Sequence, residues 1–326
     1  MTTRAFVTGS TGFVGLNLVQ RLVADGWDVT ALHRATSDLT ILKTFDARRE
    51  TGEITDAASL HAAIPEGCDV VYHVAGNTSL WRRRDAEQSR DNVDGTRNVV
   101  DACLARGVRR LVVTSSISAY GRVSGTIDES TPSLAAESWI NYQRTKYQAE
   151  QIARAAVARG LEVVILQPGG IIGRYDLHSW GRMFFLVRDG KVNRLPAGVR
   201  TFAHVREVVS AHVAAAHRGE NGGAYLLAGA NASLLDVVRE VSRLLGRPAP
   251  VREAPTAFVK VAAQVANLAS YVTGREPALT PEMADAFGRT LVTTSAKARR
   301  DLGYRVESLE TMLADCHAWL VATGRI

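Results

Sequence analysis

The chain has 326 residues, 46% of them hydrophobic and 22% charged, enough to bury a large core as one domain or two interleaved lobes. Its net charge of +6 is scattered, and the densest basic run, Arg82-Arg83-Arg84, ends at Asp85, too short for a nucleic-acid arm. Three distant cysteines, Cys68, Cys103 and Cys316, lack metal-ligand spacing and read as reduced thiols of a cytoplasmic protein.

From Met1 the chain runs almost directly into apolar residues, so no secretory signal is expected. Residues 4–8 predict a strand, 13–25 a helix with apolar positions near every third or fourth residue, and 27–33 a second strand. A weaker third strand is expected at 50–54 and a fourth at 69–74. A long helix over 85–106, a strand over 109–114, a helix over 138–159 and a strand over 161–167 follow, the last stopped by Pro168. Strands alternating with helices of this length predict an α/β fold, a doubly wound parallel sheet of Rossmann type. Beyond Pro168 the pattern is less regular, with helices at 179–188, 205–218 and 233–245 and a strand at 224–227. The expected division is a nucleotide-binding domain, 1–168, with a returning segment near 200–218. A smaller α/β substrate lobe occupies 169–326, and the cleft lies over the strand ends.

FVTGSTGFVG, residues 6–15, places Gly9, Gly12 and Gly15 between the first strand and first helix. The glycines permit a sharp turn and let a pyrophosphate approach the backbone, where the helix's unpaired amides meet the anion. The turn as a whole, with Thr11, Phe13 and Val14, is expected to cradle a dinucleotide. At the end of the second strand, a site for NAD usually places an acid on the ribose 2′-hydroxyl; here stand His33 and Arg34, with Ser37 as a further donor. A guanidinium suits a 2′-phosphate, so NADP is expected, with NAD as the alternative.

In NYQRTKYQAE, residues 141–150, Tyr142 and Lys146 share one helix face at i and i+4. A nearby ammonium favours the phenolate of a tyrosine, so the pair can pass a proton to or from a carbonyl oxygen as hydride moves. LVVTSSISAYG, residues 111–121, places Thr114, Ser115, Ser116 and Ser118 at the ligand-binding edge of a parallel strand.

The glycine turn, the strand-end serines and the Tyr/Lys pair, in this order and spacing, resemble the extended short-chain dehydrogenase/reductases over almost the whole chain. The resemblance implies a catalytic Ser116, Tyr142 and Lys146, with Ser115 and Ser118 as supports. YHVAG, 72–76, is similar to the family's segment beside the nicotinamide ribose, which implies cofactor contacts at Val74, Ala75 and Gly76. GEITD, 52–56, resembles the adenine segment, with Glu53 in place of Asp and Ile54 after it. LQPGGIIG, 166–173, resembles the carboxamide segment through Pro168, Gly169 and Ile171, with Gln167 in place of Arg. DNVDGTRNVVDAC, 91–103, supplies Asn92 as a structural polar residue, and TFAHVREVVSAHVAA, 201–215, resembles the return into the nucleotide lobe. Asn77 and Trp81, after the fourth strand, are substrate-pocket candidates. His73 reads as a core histidine rather than a proton relay, and Asp128-Glu129 as a solvated turn.

The start, the Thr-Ser-Ser strand end and Arg34 look most like the dihydroflavonol-reductase and 3β-hydroxysteroid-dehydrogenase-like branch. They imply an NADPH-dependent reductase of a small, fairly apolar ketone or aldehyde, in a homodimer built through helices 85–106 and 138–159. An NAD-dependent sugar-nucleotide 4-epimerase is the alternative, and a catalytically silent cofactor-sensing protein a third reading. No metal and no stable membrane insertion are expected. The apolar segment 255–272 carries a narrow polar stripe of Lys260, Gln264 and Asn267, and reads first as a helix packed on its own domain or a dimer partner. A wall for a greasy substrate and a membrane-surface contact are the other readings.

Overall fold

The computed structural model describes residues 2–192, 194–248 and 252–326. In chain order the first half builds β1 (Arg4–Thr8), α1 (Phe13–Ala24), β2 (Asp28–His33), β3 (Arg48–Thr51), α2 (Ala57–Ala63) and β4 (Val70–His73). There follow α3 (Asp85–Ser89), α4 (Gly95–Ala105), β5 (Arg110–Thr114), β6 (Gly125–Ile127), α5 (Asn141–Ala155) and β7 (Glu162–Pro168). After Pro168 come β8 (Gly170–Ile172), α6 (Arg182–Arg188), β9 (Arg194–Pro196), β10 (Val199–His204), α7 (Val205–Arg218) and β11 (Ala224–Leu227). The chain continues through β12 (Asn231–Ser233), α8 (Leu234–Leu245), β13 (Arg252–Ala254), α9 (Thr256–Thr273), α10 (Pro281–Phe287), β14 (Leu291–Thr293), α11 (Ala296–Leu302) and α12 (Leu309–Ala322).

Seven parallel strands make the central sheet in the order β11-β7-β5-β4-β1-β2-β3. The order reverses between β1 and β4, where Thr8 and His73 are register partners, and a ligand crevice is expected at that switch point. Helices cover both faces, so β1 is buried throughout after Arg4: Ala5 and Val7 join one apolar cluster and Phe6 the other. The cluster around Val7 continues through Val208 of α7 to Met312 and Leu313 of α12, so the first and last parts of the chain share one core.

The third strand spans Arg48–Thr51, beginning two residues before the expected 50–54 and overlapping it only at Glu50 and Thr51. It is an edge strand with all four residues exposed, which leaves no apolar pattern to mark it. The helix expected over 85–106 is continuous, but a π turn at Arg90–Asp94 interrupts its hydrogen bonding and moves Asn92 inward. After Pro168 a second sheet, β12-β10-β8, forms beside the first, and its strand β10 feeds α7 and then β11 at the edge of the large sheet. All three cysteines are free and buried. Among the described residues, no helix is long and apolar enough to cross a membrane, and no side-chain cluster could hold a metal.

Candidate active site

A cleft of ≈ 1600 Å³ opens over the carboxyl ends of the parallel strands and runs into the second lobe. One end is the glycine turn. Gly9 is left-handed at φ +66°, and a Cβ there would sit 2.7 Å from the Ala75 amide nitrogen. A Cβ on Gly15 would lie 2.0 Å from the Gly9 carbonyl oxygen, so only glycine lets α1 come this close to the turn. No side chain caps α1, and its first-turn residues Phe13 and Val14 line the cleft at the positive end of the helix. This cradle fits the pyrophosphate of a dinucleotide.

Beside it, the chain leaving β2 closes a small turn: Arg34 N–H donates to Ser37 Oγ at 3.2 Å, and Ser37 N–H returns a bond to the Arg34 carbonyl at 3.0 Å. The Arg34 side chain is exposed and lines the cleft with His33, Ser37 and Thr11. Glu53 and Ile54 also line the cleft. Glu53 is held through its backbone, which exchanges two bonds with Ser59 Oγ, so the segment keeps its shape with Glu in place of Asp. Ile54 packs over Gly95, where a Cβ would come within 2.7 Å of its side chain.

At the switch point a buried chain of hydrogen bonds assigns the tautomer of His73. Thr96 Oγ1 donates to the Asn92 carbonyl at 2.6 Å, so it accepts from His73 Nε2 at 3.1 Å. His73 Nδ1 then accepts from Thr8 Oγ1 at 2.9 Å, and that hydroxyl accepts the Ala75 amide at 3.2 Å. Burial, with the nearby Lys146 charge, pushes the imidazole down to about 3; it is a neutral core residue with both nitrogens satisfied.

Tyr142 and Lys146 lie on one face of α5 and line the cleft with Ser116. Lys146 is buried and its Nζ donates to the Thr114 carbonyl at 3.1 Å; burial pushes the amine down to about 8, opposed by Glu150. Thr114 is held in turn by His212, whose Nδ1–H donates to the Val208 carbonyl at 2.8 Å and whose Nε2 accepts from Thr114 Oγ1 at 2.7 Å. Burial raises the Tyr142 phenol, and its bond with the Ser116 hydroxyl lowers it. The depression expected from Lys146 does not appear, and burial, the larger effect, keeps the phenol protonated in the free protein. Ser116 Oγ also accepts from the Ser118 amide at 3.1 Å and so is oriented by its own turn. Tyr147, a further 100° round the helix, is half-buried.

Behind the serines, Ser115 Oγ donates to Glu150 Oε1 at 2.5 Å and Gln167 Nε2 donates to the same oxygen at 2.8 Å, while Tyr120 OH donates to Gln167 Oε1 at 3.1 Å. Gln167, which departs from the expected Arg, is thus a neutral bridge to a buried acid.

The cleft lining takes in the glycine turn, the β2 end, Val74, Ala75, Gly76, Thr114, Pro168, Gly169 and Ile171, but not Asn77 or Trp81. Asn77 is consumed by the π turn: its N–H donates to Asn92 Oδ1 at 2.7 Å and its carbonyl accepts from Asn92 Nδ2 at 2.9 Å. Trp81 instead packs under the Arg83 guanidinium, 5.3 Å from its ring. Their neighbours Thr78 and Leu80 take the wall positions. Asp128 accepts bonds from Ser130 in a turn, whereas Glu129 reaches across to the Leu226 amide at 2.8 Å and secures the edge strand β11.

The far wall comes mostly from residues the sequence did not single out, with Phe258, Val259 and Ala262 of the apolar segment 255–272 among its lining. Trp180 stands edge-on to Phe202 and Phe287 at 4.8 and 5.7 Å, with Met183, Leu195 and Phe258 beside it. Among them is Arg200, whose Nη1 donates to the Ala286 carbonyl at 2.9 Å. It has no carboxylate partner among the described residues, and burial pushes it down to about 10. These residues come from separated segments whose adjacency no local pattern encodes.

The NAD dependent epimerase/dehydratase family matches the chain over residues 5–228. A Synechocystis sp. protein provisionally named a dihydroflavonol 4-reductase is 33% identical over 98% of this chain and 95% of its own length. A Stigmatella aurantiaca protein named 4-hydroxy-2-methyl-3-oxo-4-farnesyl-3,4-dihydroquinoline-1-oxide ketoreductase is 32% identical over 92% of this chain and 91% of its own. Among solved structures, a nucleoside-diphosphate-sugar epimerase of Pseudomonas aeruginosa superposes with a TM-score of 0.81 at 25% identity over the full length of both chains. The chain belongs to the NAD-dependent epimerase/dehydratase family, the extended short-chain dehydrogenase/reductases. Within it, the protein is an NAD(P)-dependent oxidoreductase.

Proposed function

We propose that the protein is an NADPH-dependent reductase of a ketone or aldehyde on a small, fairly apolar molecule. The observation that carries this reading is the meeting of Ser116, Tyr142 and Lys146 in the cleft that holds the glycine turn, with an apolar wall opposite. Tyr142 gives its phenolic proton to the carbonyl oxygen, and Ser116 orients that oxygen. Lys146, fixed by Thr114, holds the nicotinamide ribose and favours the phenolate once the proton has left. Bound NADPH supplies the hydride that adds to the carbonyl carbon. Arg34 favours NADPH because its guanidinium suits a 2′-phosphate that an acid would repel. The reductase names of the two relatives support the direction, and the farnesyl group in one name supports an apolar substrate. A homodimer through α3, α4 and α5 belongs to this proposal.

Arg200 favours a second reading. A guanidinium in the far wall without a carboxylate partner suits an anionic group such as a sugar nucleotide's diphosphate, and the P. aeruginosa neighbour is an epimerase of that substrate class. The test is NADPH consumption with a panel of apolar ketones and aldehydes, set beside conversion of nucleoside-diphosphate sugars. Consumption with the carbonyl panel supports the reductase. Protein-bound NAD, with sugar-nucleotide epimerisation and no net NADPH consumption, replaces it with the epimerase.

A further inference from the structure

The proposed chemistry leaves most of one feature unused, the outer face of α9, of which only Phe258 also lines the cleft. Phe258, Val261, Val265, Leu268 and Val272 recur at alternating spacings of three and four, and all five are exposed, between 52% and 91%. The inner face, with Val259, Ala263 and Ser270, is buried against the lobe. A continuous apolar row open to water marks an interaction surface.

Its surroundings distinguish two occupants. In a helix pair with a second copy, the five residues would take the a and d positions. The flanking e and g positions would be Ala262, Gln264, Ala269 and Tyr271, which carry no charge to set partner or register. The row is instead edged by cations. The Arg194 guanidinium lies 5.3 Å from the Phe258 ring, and Arg83 lies 5.7 Å from the Tyr271 ring while donating to the Ser270 carbonyl at 3.1 Å. Lys260 on the helix and Arg275 just beyond it are exposed as well, and Glu253 and Glu276 are the acids in the adjoining chain. A second copy would bring these cations against their own kind, whereas an anionic headgroup layer pairs with them. The helix is also a rim of the cleft, because Phe258, Val259 and Ala262 line it.

We propose that α9 seats the protein on the surface of an anionic lipid bilayer. The apolar row enters the acyl boundary, the cations meet the headgroups, and the cleft mouth opens on the membrane as the source of apolar substrate. The substrate clause rests on the reductase reading; the seating itself needs no turnover.

The test is flotation of the whole protein with vesicles of phosphatidylcholine and phosphatidylglycerol, against phosphatidylcholine alone. The comparison variant is Val265→Gln/Leu268→Gln, which alters two exposed side chains outside the cleft lining. Wild type is expected to float with the anionic vesicles, less so at high salt, and the variant at least ~10-fold less, from the apolar area lost. The variant should keep wild-type thermal stability and NADPH turnover on a water-soluble ketone. Tyr142→Phe should float like wild type, so failure of the catalytic reading and failure of the membrane reading are told apart. Wild type that stays free of anionic vesicles overturns the proposal. So does a variant that sediments as a smaller species than wild type while neither binds vesicles, which assigns the row to a second copy.

Discussion

The Ser115 hydroxyl donates to the buried Glu150 carboxylate at 2.5 Å, and that bond ties the strand end carrying the serines to the helix carrying Tyr142 and Lys146. Gln167 donates to the same oxygen at 2.8 Å, so the serine-bearing strand end, α5 and β7 are all tied to one acid. Glu150 thus links the segments that carry Ser116 and Tyr142 without itself lining the cleft.

Glu150→Ala leaves the Ser115 hydroxyl and the Gln167 amide without their acceptor and is expected to cost about 2–4 kcal/mol in urea unfolding at neutral pH. Glu150→Gln keeps an acceptor oxygen and removes the charge. Burial raises the folded-state pKa of Glu150, so the folded wild type binds the proton more tightly than the unfolded chain. Wild-type stability therefore falls as pH rises from the ordinary carboxyl value through the folded one, and Glu150→Gln should lack that fall. Equal stability of Glu150→Ala and wild type would refute the role given to this acid.

Burial pushes the Lys146 amine down to about 8, from an ordinary 10.5. The folded state thus disfavours its charge, a cost present in full below about 8 and lost as pH rises towards 10.5. Lys146→Met is expected to be more stable than wild type by on the order of 2–3 kcal/mol at neutral pH, less the contribution of its bond to Thr114. Thermal unfolding across pH should show that gap closing on the alkaline side, while turnover is lost throughout.

Gly15→Ala puts a Cβ 2.0 Å from the Gly9 carbonyl oxygen and must push α1 away from the turn. A loss of about 1–3 kcal/mol in stability is expected, with NADPH binding weakened by at least ~10-fold as the cradle widens. Isothermal titration beside urea unfolding separates the two effects.

Much of the nucleotide half was legible because its signals are local. The strand Arg4–Thr8, the glycine turn and the start of α1 at Phe13 follow one another within residues 4–15, and each is marked by its own residue type. Val205–Arg218 and Ala224–Leu227 were legible at both ends for the same reason. The third strand was misplaced because an exposed edge strand of Arg48, Arg49, Glu50 and Thr51 has no apolar period. The π turn that turns Asn92 inward and uses up Asn77 leaves no mark in composition, so Asn77 looked available for substrate. Most of the far wall was not legible, apart from the apolar segment 255–272, which supplies Phe258, Val259 and Ala262. Trp180, Arg200 and Phe287 are far apart in sequence, and three-residue strands such as Gly170–Ile172 are too short to show a period. The apolar character of 255–272 was plain, but which side of α9 faces water is decided by tertiary packing.

Arg34→Asp should reverse the cofactor preference. The new carboxylate suits a ribose 2′-hydroxyl and repels a 2′-phosphate, so NADPH affinity is expected to fall by at least ~10-fold while NADH binding holds or improves. Fluorescence titration with both nucleotides reads the outcome. An unmodified protein that already prefers NADH would remove Arg34 from the account.

The central claim is that Tyr142 passes the proton as hydride moves, and the direct measurement is the single-turnover rate of NADPH oxidation by Tyr142→Phe with a saturating carbonyl substrate. The predicted result is a rate lower by ~10²–10⁴-fold with NADPH still bound, because ring packing survives and only the proton donor is gone. A rate close to that of the wild type would contradict it.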